Sequence, residues 1–74
     1  MSVTIYTKNN CAACDGTKGL MDKLGIEYTA INVEENLDIA QELVDEGWRG
    51  MPVVKTDTDS WSGINQEKIR ALVA

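Results

Sequence analysis

Two cysteines, Cys11 and Cys14, stand three positions apart in a chain of 74 residues that contains no histidine. Two thiols at that spacing can carry out dithiol–disulfide exchange. One thiolate attacks a disulfide on another molecule, a mixed disulfide forms, and the second thiol displaces it. The missing histidine removes His-based triads, a His general base and Cys₂His₂ zinc sites. A bridge between the two cysteines is a poor structural staple. Closing a ring of four residues restrains the unfolded chain by roughly 2 kcal/mol, against about 4.7 kcal/mol for a 100-residue loop. Two other readings stay open on the cysteines alone. They are a pair of buried, inert thiols, or a thiol metal-binding module bridging two chains, because a Cys₄ site needs a second copy.

The surrounding pattern says how the pair is held. Ser2 to Thr7 alternates, with Val3 and Ile5 on one side and Thr4 and Tyr6 on the other, which predicts a strand. Lys8-Asn9-Asn10 is a short loop. From Cys11 to Leu24 the period becomes helical, with Thr17, Leu20, Met21 and Leu24 on one stripe and Gly25 as the stop. Gly16 and Gly19 weaken that helix by about 1 kcal/mol each. Glu27 to Val33 alternates again. Asn36 is positioned to cap a helix that turns Leu37, Ala40, Leu43 and Val44 inward and ends at Gly47. Pro52 to Thr56 predicts a third strand and Ser60 to Ser62 a fourth, joined by the polar turn Asp57-Thr58-Asp59. Asn65 caps a last helix, with Ile64 and Ile69 spaced as a hydrophobic staple and Ile69, Leu72 and Val73 inward. The order β-α-β-α-β-β-α predicts an α/β fold. Its four-stranded mixed sheet has a parallel first pair and a closing hairpin, flanked by three helices on both faces.

Composition bounds the rest. Apolar residues make up 43 % and charged residues 26 %, as in a globular domain, and the length allows one domain spanning 1–74. Seven basic and twelve acidic residues give a net charge of −5, which argues against a nucleic-acid partner. No apolar run approaches the roughly 20 residues of a membrane span. Met1-Ser2-Val3-Thr4-Ile5 lacks the basic and apolar regions of a secretory leader. The expected setting is therefore the cytoplasm, where thiols are kept reduced.

A Cys-x-x-Cys that follows a strand and opens a helix within a βαβ unit is the thioredoxin-like redox arrangement. Unpaired N–H groups and the positive dipole end at a helix N-terminus favour thiolate. Cys11, at the cap and expected to be the more exposed, is the predicted nucleophile. Cys14, one turn in, is the predicted resolving thiol, so the two form a redox-active disulfide. Asp15 is either a solvated first-turn acid or a negative charge that opposes the thiolate, and Lys8 either a loose surface lysine or a positive charge that supports it. Neutralising Asp15 as Asp15→Asn is expected to favour the Cys11 thiolate. Met51-Pro52 opens the third strand either as a loop terminator or with a cis bond.

The run Tyr6-Thr7-Lys8 into Cys11-Ala12-Ala13-Cys14, then Met51-Pro52-Val53-Val54, then Trp61-Ser62-Gly63, resembles the glutaredoxin-like NrdH-redoxin family along essentially the whole chain. The resemblance implies a thioredoxin fold of the glutaredoxin type with a cis peptide at Met51-Pro52. Those two residues would shape a substrate groove in which the Met51 backbone pairs with an incoming peptide as an added strand. It implies a protein-disulfide oxidoreductase that acts as an electron carrier and holds no cofactor of its own. Electrons would come from NADPH through thioredoxin reductase and pass to a cysteine pair on the flexible tail of the class Ib ribonucleotide reductase large subunit. The carrier would be a monomer that binds no metal. Thr7, Lys8, Trp48, Arg49, Trp61, Ser62 and Gly63 become candidates for docking or support, with Trp61 equally placed to be a core aromatic covering the last helix. The family usually has larger or polar residues between the cysteines, and Phe, a basic residue and Pro after Trp-Ser-Gly. Here Ala12-Ala13 and Ile64-Asn65-Gln66 stand there, and Trp48-Arg49 offers a compensating surface. The competing redox reading is a glutathione-dependent glutaredoxin. That group typically shows Cys-Pro-Tyr-Cys, Thr-Val-Pro, and Gly-Gly followed by an Asp that holds the glutathione amine. Here those places hold Cys-Ala-Ala-Cys, Gly-Met-Pro and Ser62-Gly63-Ile64-Asn65-Gln66, with an amide in place of the acid.

Overall fold

The computed structural model describes residues 2–74. Met1, the first residue of the expected domain and leader-free N-terminus, lies outside the described residues. The elements follow the expected order: β1 (Thr4–Thr7), α1 (Ala12–Leu24), β2 (Thr29–Asn32), α2 (Leu37–Asp45), β3 (Val53–Lys55), β4 (Ser60–Ser62) and α3 (Gln66–Ala71). The sheet runs β2-β1-β3-β4. β1 and β2 are parallel, with Ile5 opposite Ala30, whereas β3 lies antiparallel to β1 and to β4. This is the glutaredoxin-type thioredoxin fold.

Period-two alternation splits the core between the two faces of the sheet. Ile5, Val54 and Trp61 face one side, where they join Val3, Met21, Ile26 and Ile69 under α1 and α3. Tyr6 and Val53 face the other, with Val33 and Leu43 and the partly buried Ile39 and Ala40 of α2. Gly25 ends α1 at φ 73°, a left-handed conformation that glycine adopts without a Cβ penalty.

Several expected details shift. β2 is shorter than Glu27–Val33 because it is an edge strand. Its ladder extends only as far as β1 supplies partners, from Thr4↔Thr29 to Thr7↔Asn32. β3 is likewise trimmed to its paired residues. α2 is rotated from the expected face. Leu37 and Val44 are 74 % and 63 % exposed, while Ile39, Ala40 and Leu43 pack inward. Successive helical residues turn by about 100°, so a stripe centred on these three leaves Leu37 and Val44 on its flank. Asn36 does not cap through its side chain. Its Nδ2 instead donates to the Asn32 carbonyl at 2.8 Å. Asn65 does cap α3, its Oδ1 accepting from the Lys68 N–H at 3.1 Å. Val73 lies beyond α3 and is exposed. Ile64, expected to staple onto Ile69, is also exposed. Its Cδ1 lies 3.1 Å from where a Cβ on Gly16 would stand, so the glycine that weakens α1 gives Ile64 room beside that helix.

Candidate redox site

Cys11 is the N-cap of α1. Its extended backbone (φ −118°, ψ 100°) lets its Sγ accept the Cys14 N–H at 3.1 Å, and its carbonyl accepts the Asp15 N–H. The two cysteines form a disulfide. Cys11 is 8 % exposed and Cys14 1 %, in the expected order. The Cys14 N–H is one of the orphan donors of a helix N-terminus. Aimed at Sγ, it would favour a thiolate there. The chain enters the cap through Asn10, whose φ of 54° is left-handed, a conformation that asparagine tolerates better than most side chains.

Sheet register gathers the other candidates. Tyr6 pairs with Val53, and Val53 with Ser62. The next row, at the end of β1 that leads to Cys11, therefore holds Thr7, Pro52 and Gly63. The Gly63 N–H donates to the Pro52 carbonyl at 2.8 Å, with Gly63 at φ 77°. The Met51-Pro52 bond is cis, as the resemblance implies. Pro52 is buried, Met51 half-buried and Ser62 exposed. Thr7 is buried, with a long 3.5 Å bond from its hydroxyl to the Ile31 carbonyl. Lys8 is exposed on the loop before Cys11. Asp15 is also exposed and lies 3.8 Å from Lys18, so solvent and a neighbouring cation screen its charge from the sulfurs.

Trp61 stands apart from this row. It lies in the core at 6 % exposure, its Nε1 has no protein partner, and Lys68 sits 5.6 Å over its ring. The structure thus gives it the core position under α3. Trp48 and Met51 each pack against the cluster of Val33, Leu43 and Val53, and Arg49 is exposed.

The loop that carries these residues is braced by Glu46 and Lys55, which the sequence did not single out. Glu46 Oε1 accepts from Lys55 Nζ at 2.6 Å and from Trp48 Nε1 at 3.1 Å, clamping the segment before Met51 to β3. The Lys55 hydrogen bond, then that of Trp48, holds the Glu46 carboxyl below its ordinary range. The same bond raises Lys55. A depressed carboxyl stabilises the fold fully above the ordinary glutamate range and loses that contribution as pH falls through its lowered value. The raised lysine contributes below its ordinary range and loses its share as pH rises through its raised value. Glu46→Gln is therefore expected to reduce the fall in melting temperature on acidification below the glutamate range. Thermal scans at stepped pH with identical acid slopes in both proteins would count against the clamp. Asn9 and Asn32 were also missed. They join at 2.8 Å, 23 residues apart, and no local spacing announces such a contact.

The 310 Å³ cleft lined by Ser2, Val3, Glu27, Tyr28 and Thr29 sits at the opposite end of β1 from the disulfide. There burial, then Asp22, pushes the Tyr28 hydroxyl up. Among the described residues no group of three or more His, Cys, Asp or Glu is placed to hold a metal, and no helix is long and apolar enough to cross a membrane.

Comparison with known proteins decides the family. Residues 3–61 match the glutaredoxin family model. The chain is 43 % identical to the glutaredoxin-like protein NrdH of Salmonella typhimurium over 72 residues, covering 97 % of this chain and 89 % of that one. It belongs to the glutaredoxin-like NrdH-redoxin family. The NrdH-redoxin of Escherichia coli, a protein described as having a thioredoxin-like activity profile, superposes with a TM-score of 0.94 at 39 % identity, covering 97 % of this chain and 95 % of that one. The NrdH of Lactococcus lactis subsp. cremoris is 30 % identical over 70 residues, covering 95 % and 97 %. This NrdH-redoxin family member is thus a glutaredoxin-like redox protein with its cysteine pair at the start of α1.

Proposed function

We propose that the protein is a dithiol–disulfide oxidoreductase that carries electrons in the cytoplasm from NADPH, through thioredoxin reductase, to a protein disulfide. The observation that carries this reading is the Cys11–Cys14 disulfide at the α1 N-terminus, with the Cys14 N–H aimed at the Cys11 sulfur. In the reduced protein the Cys11 thiolate attacks one sulfur of the target disulfide and expels the other as a thiolate, which takes up a proton from solvent. The Cys14 thiol loses its proton to solvent and attacks the Cys11 sulfur, and the target's second thiolate leaves and takes up a proton. The target gains two electrons and two protons, and the protein is left oxidised. Two electrons from the reductase then restore its thiols.

Met51 and Pro52 border the path of the incoming chain, and the Met51 backbone supplies hydrogen-bonding groups to it. Thr7, Ser62 and Gly63 support that border, while Lys8, Trp48 and Arg49 are the exposed or half-exposed candidates for contact. The target is the cysteine pair on the tail of a class Ib ribonucleotide reductase large subunit, the partner that the resemblance to the NrdH-redoxin family implies.

Thioredoxin reductase is favoured over glutathione as the electron source by the stretch Ser62-Gly63-Ile64-Asn65-Gln66. Where glutathione-binding relatives would present a carboxylate after their paired glycines, this stretch offers amides, and the Asn65 oxygen is taken up in capping α3. The test compares insulin reduction driven by NADPH with thioredoxin reductase against NADPH with glutathione and its reductase. Faster reduction through thioredoxin reductase is expected. Equal rates would overturn the assignment. Metal that links two chains and vanishes in Cys14→Ser would favour a metal-binding module instead.

A further inference from the structure

We propose that Asn32, through its hydrogen bond to Asn9, is a positioning residue that holds Cys11 in its cap geometry. The proposal rests on the reading of Cys11 as the nucleophile.

Three residues, Lys8-Asn9-Asn10, connect β1 to the cap. Among the described residues, the bond from Asn32 Nδ2 to Asn9 Oδ1, at 2.8 Å, is the one side-chain hydrogen bond that ties them to the rest of the fold. The Asn32 side chain is itself fixed at both ends of its amide. Nδ2 donates to Asn9, and Oδ1 accepts the Glu34 N–H at 2.8 Å. Rotating the amide by half a turn would lose both bonds. Its backbone is equally anchored. Asn32 is paired with Thr7 across the parallel ladder, and its carbonyl accepts from Asn36 Nδ2 at 2.8 Å and from the Glu35 N–H at 3.2 Å. Asn32 is thus a rigid post at the end of β2, and Asn9 is moored to it.

Only Asn10, in its left-handed conformation, separates the mooring from Cys11. The cap needs Cys11 extended and its sulfur over the Cys14 N–H. A loop freed from Asn32 would sample other entries into α1. In each of those the sulfur loses part of the donor and dipole that favour its thiolate. The consequence falls on the protonation of Cys11 rather than on the core, because Asn9 is exposed and Asn32 lies at the rim of the sheet.

The test uses the full chain in a Cys14→Ser background, so that Cys11 is the single thiol. Its alkylation by iodoacetamide is followed across pH, and thermal unfolding is recorded alongside. Asn32→Ala and Asn9→Ala attack the same bond from its two ends. Each is expected to slow alkylation at neutral pH about threefold, the effect of one modest hydrogen bond. Each should also move the pH midpoint upward, with rates converging where the thiol is fully ionised. The double variant should be no slower than either single one, since both remove one contact. Unshifted midpoints would overturn the proposal, whether or not the melting temperature falls, and so would effects that add in the double variant. A parent protein whose midpoint is no lower than the roughly 8.5 of a free cysteine would overturn the nucleophile reading, and this proposal with it.

Discussion

Cys14→Ser is expected to attack a target disulfide once and remain joined to it. The reduced variant, mixed with a disulfide-linked peptide, should gain the mass of one peptide arm, hold it until dithiothreitol is added, and show no turnover in insulin reduction. Burial and local geometry lead to this outcome. Cys11 sits at the helix cap, more exposed than its partner, with a backbone N–H on its sulfur. Cys14 is 1 % exposed, which denies a bulky disulfide access to it. It bonds to the Cys11 sulfur in the oxidised form, so it lies within reach of a mixed disulfide formed there. Serine keeps the N–H at position 14 and removes the thiol that completes the exchange. Cys11→Ser should form no adduct, because the remaining thiol is out of the target's reach. Mass spectrometry that found equal adducts on both variants would reverse or abolish the assigned roles.

Ile69→Ala is expected to cost about 2–5 kcal/mol, the usual effect of truncating a fully buried aliphatic side chain. A chain of 74 residues has about 4–11 kcal/mol of stability in all, at roughly 0.05–0.15 kcal/mol per residue. The melting temperature should therefore fall by at least about 8 °C. α3 has six residues and is too short to hold helical structure alone. It is docked by Ile69, at 0 % exposure, with help from Leu72, against the cluster that contains Met21, Val54 and Trp61. Removing the Ile69 side chain leaves a cavity beneath α3 and loosens the cover over Trp61. Ile69→Val, which keeps most of the volume, should cost about 0.5–1.5 kcal/mol. Denaturant melts in which the alanine and valine variants lose the same small amount would show that α3 is not held by this side chain.

The sequence by itself determined the place of the cysteine pair and the order of elements. Cys11 and Cys14 at a strand-to-helix junction require no long-range knowledge, because the donor that meets the Cys11 sulfur belongs to the helix the cysteine begins. The alternation of Val3, Thr4, Ile5 and Tyr6, the stop at Gly25 and the cap at Asn65 are likewise local, and each stands as expected. The motif at Met51-Pro52 and Trp61-Ser62-Gly63 was legible as a family resemblance.

Tertiary structure decided what spacing cannot. Periodicity shows that α2 is amphipathic but not how far it is rotated. Packing against Val33 and Val53 chose Ile39, Ala40 and Leu43 and left Leu37 and Val44 outside. Trp61 was balanced between core and contact until the register set it opposite Val54, inside the sheet's α1–α3 face. The Glu46–Lys55 clamp and the Asn9–Asn32 mooring join residues 9 and 23 positions apart. Such bonds depend on which strands become neighbours and in what register. The residues that form the bond at the redox site are therefore read from local order, whereas the residues that hold that site still exist as partners only once the sheet is assembled.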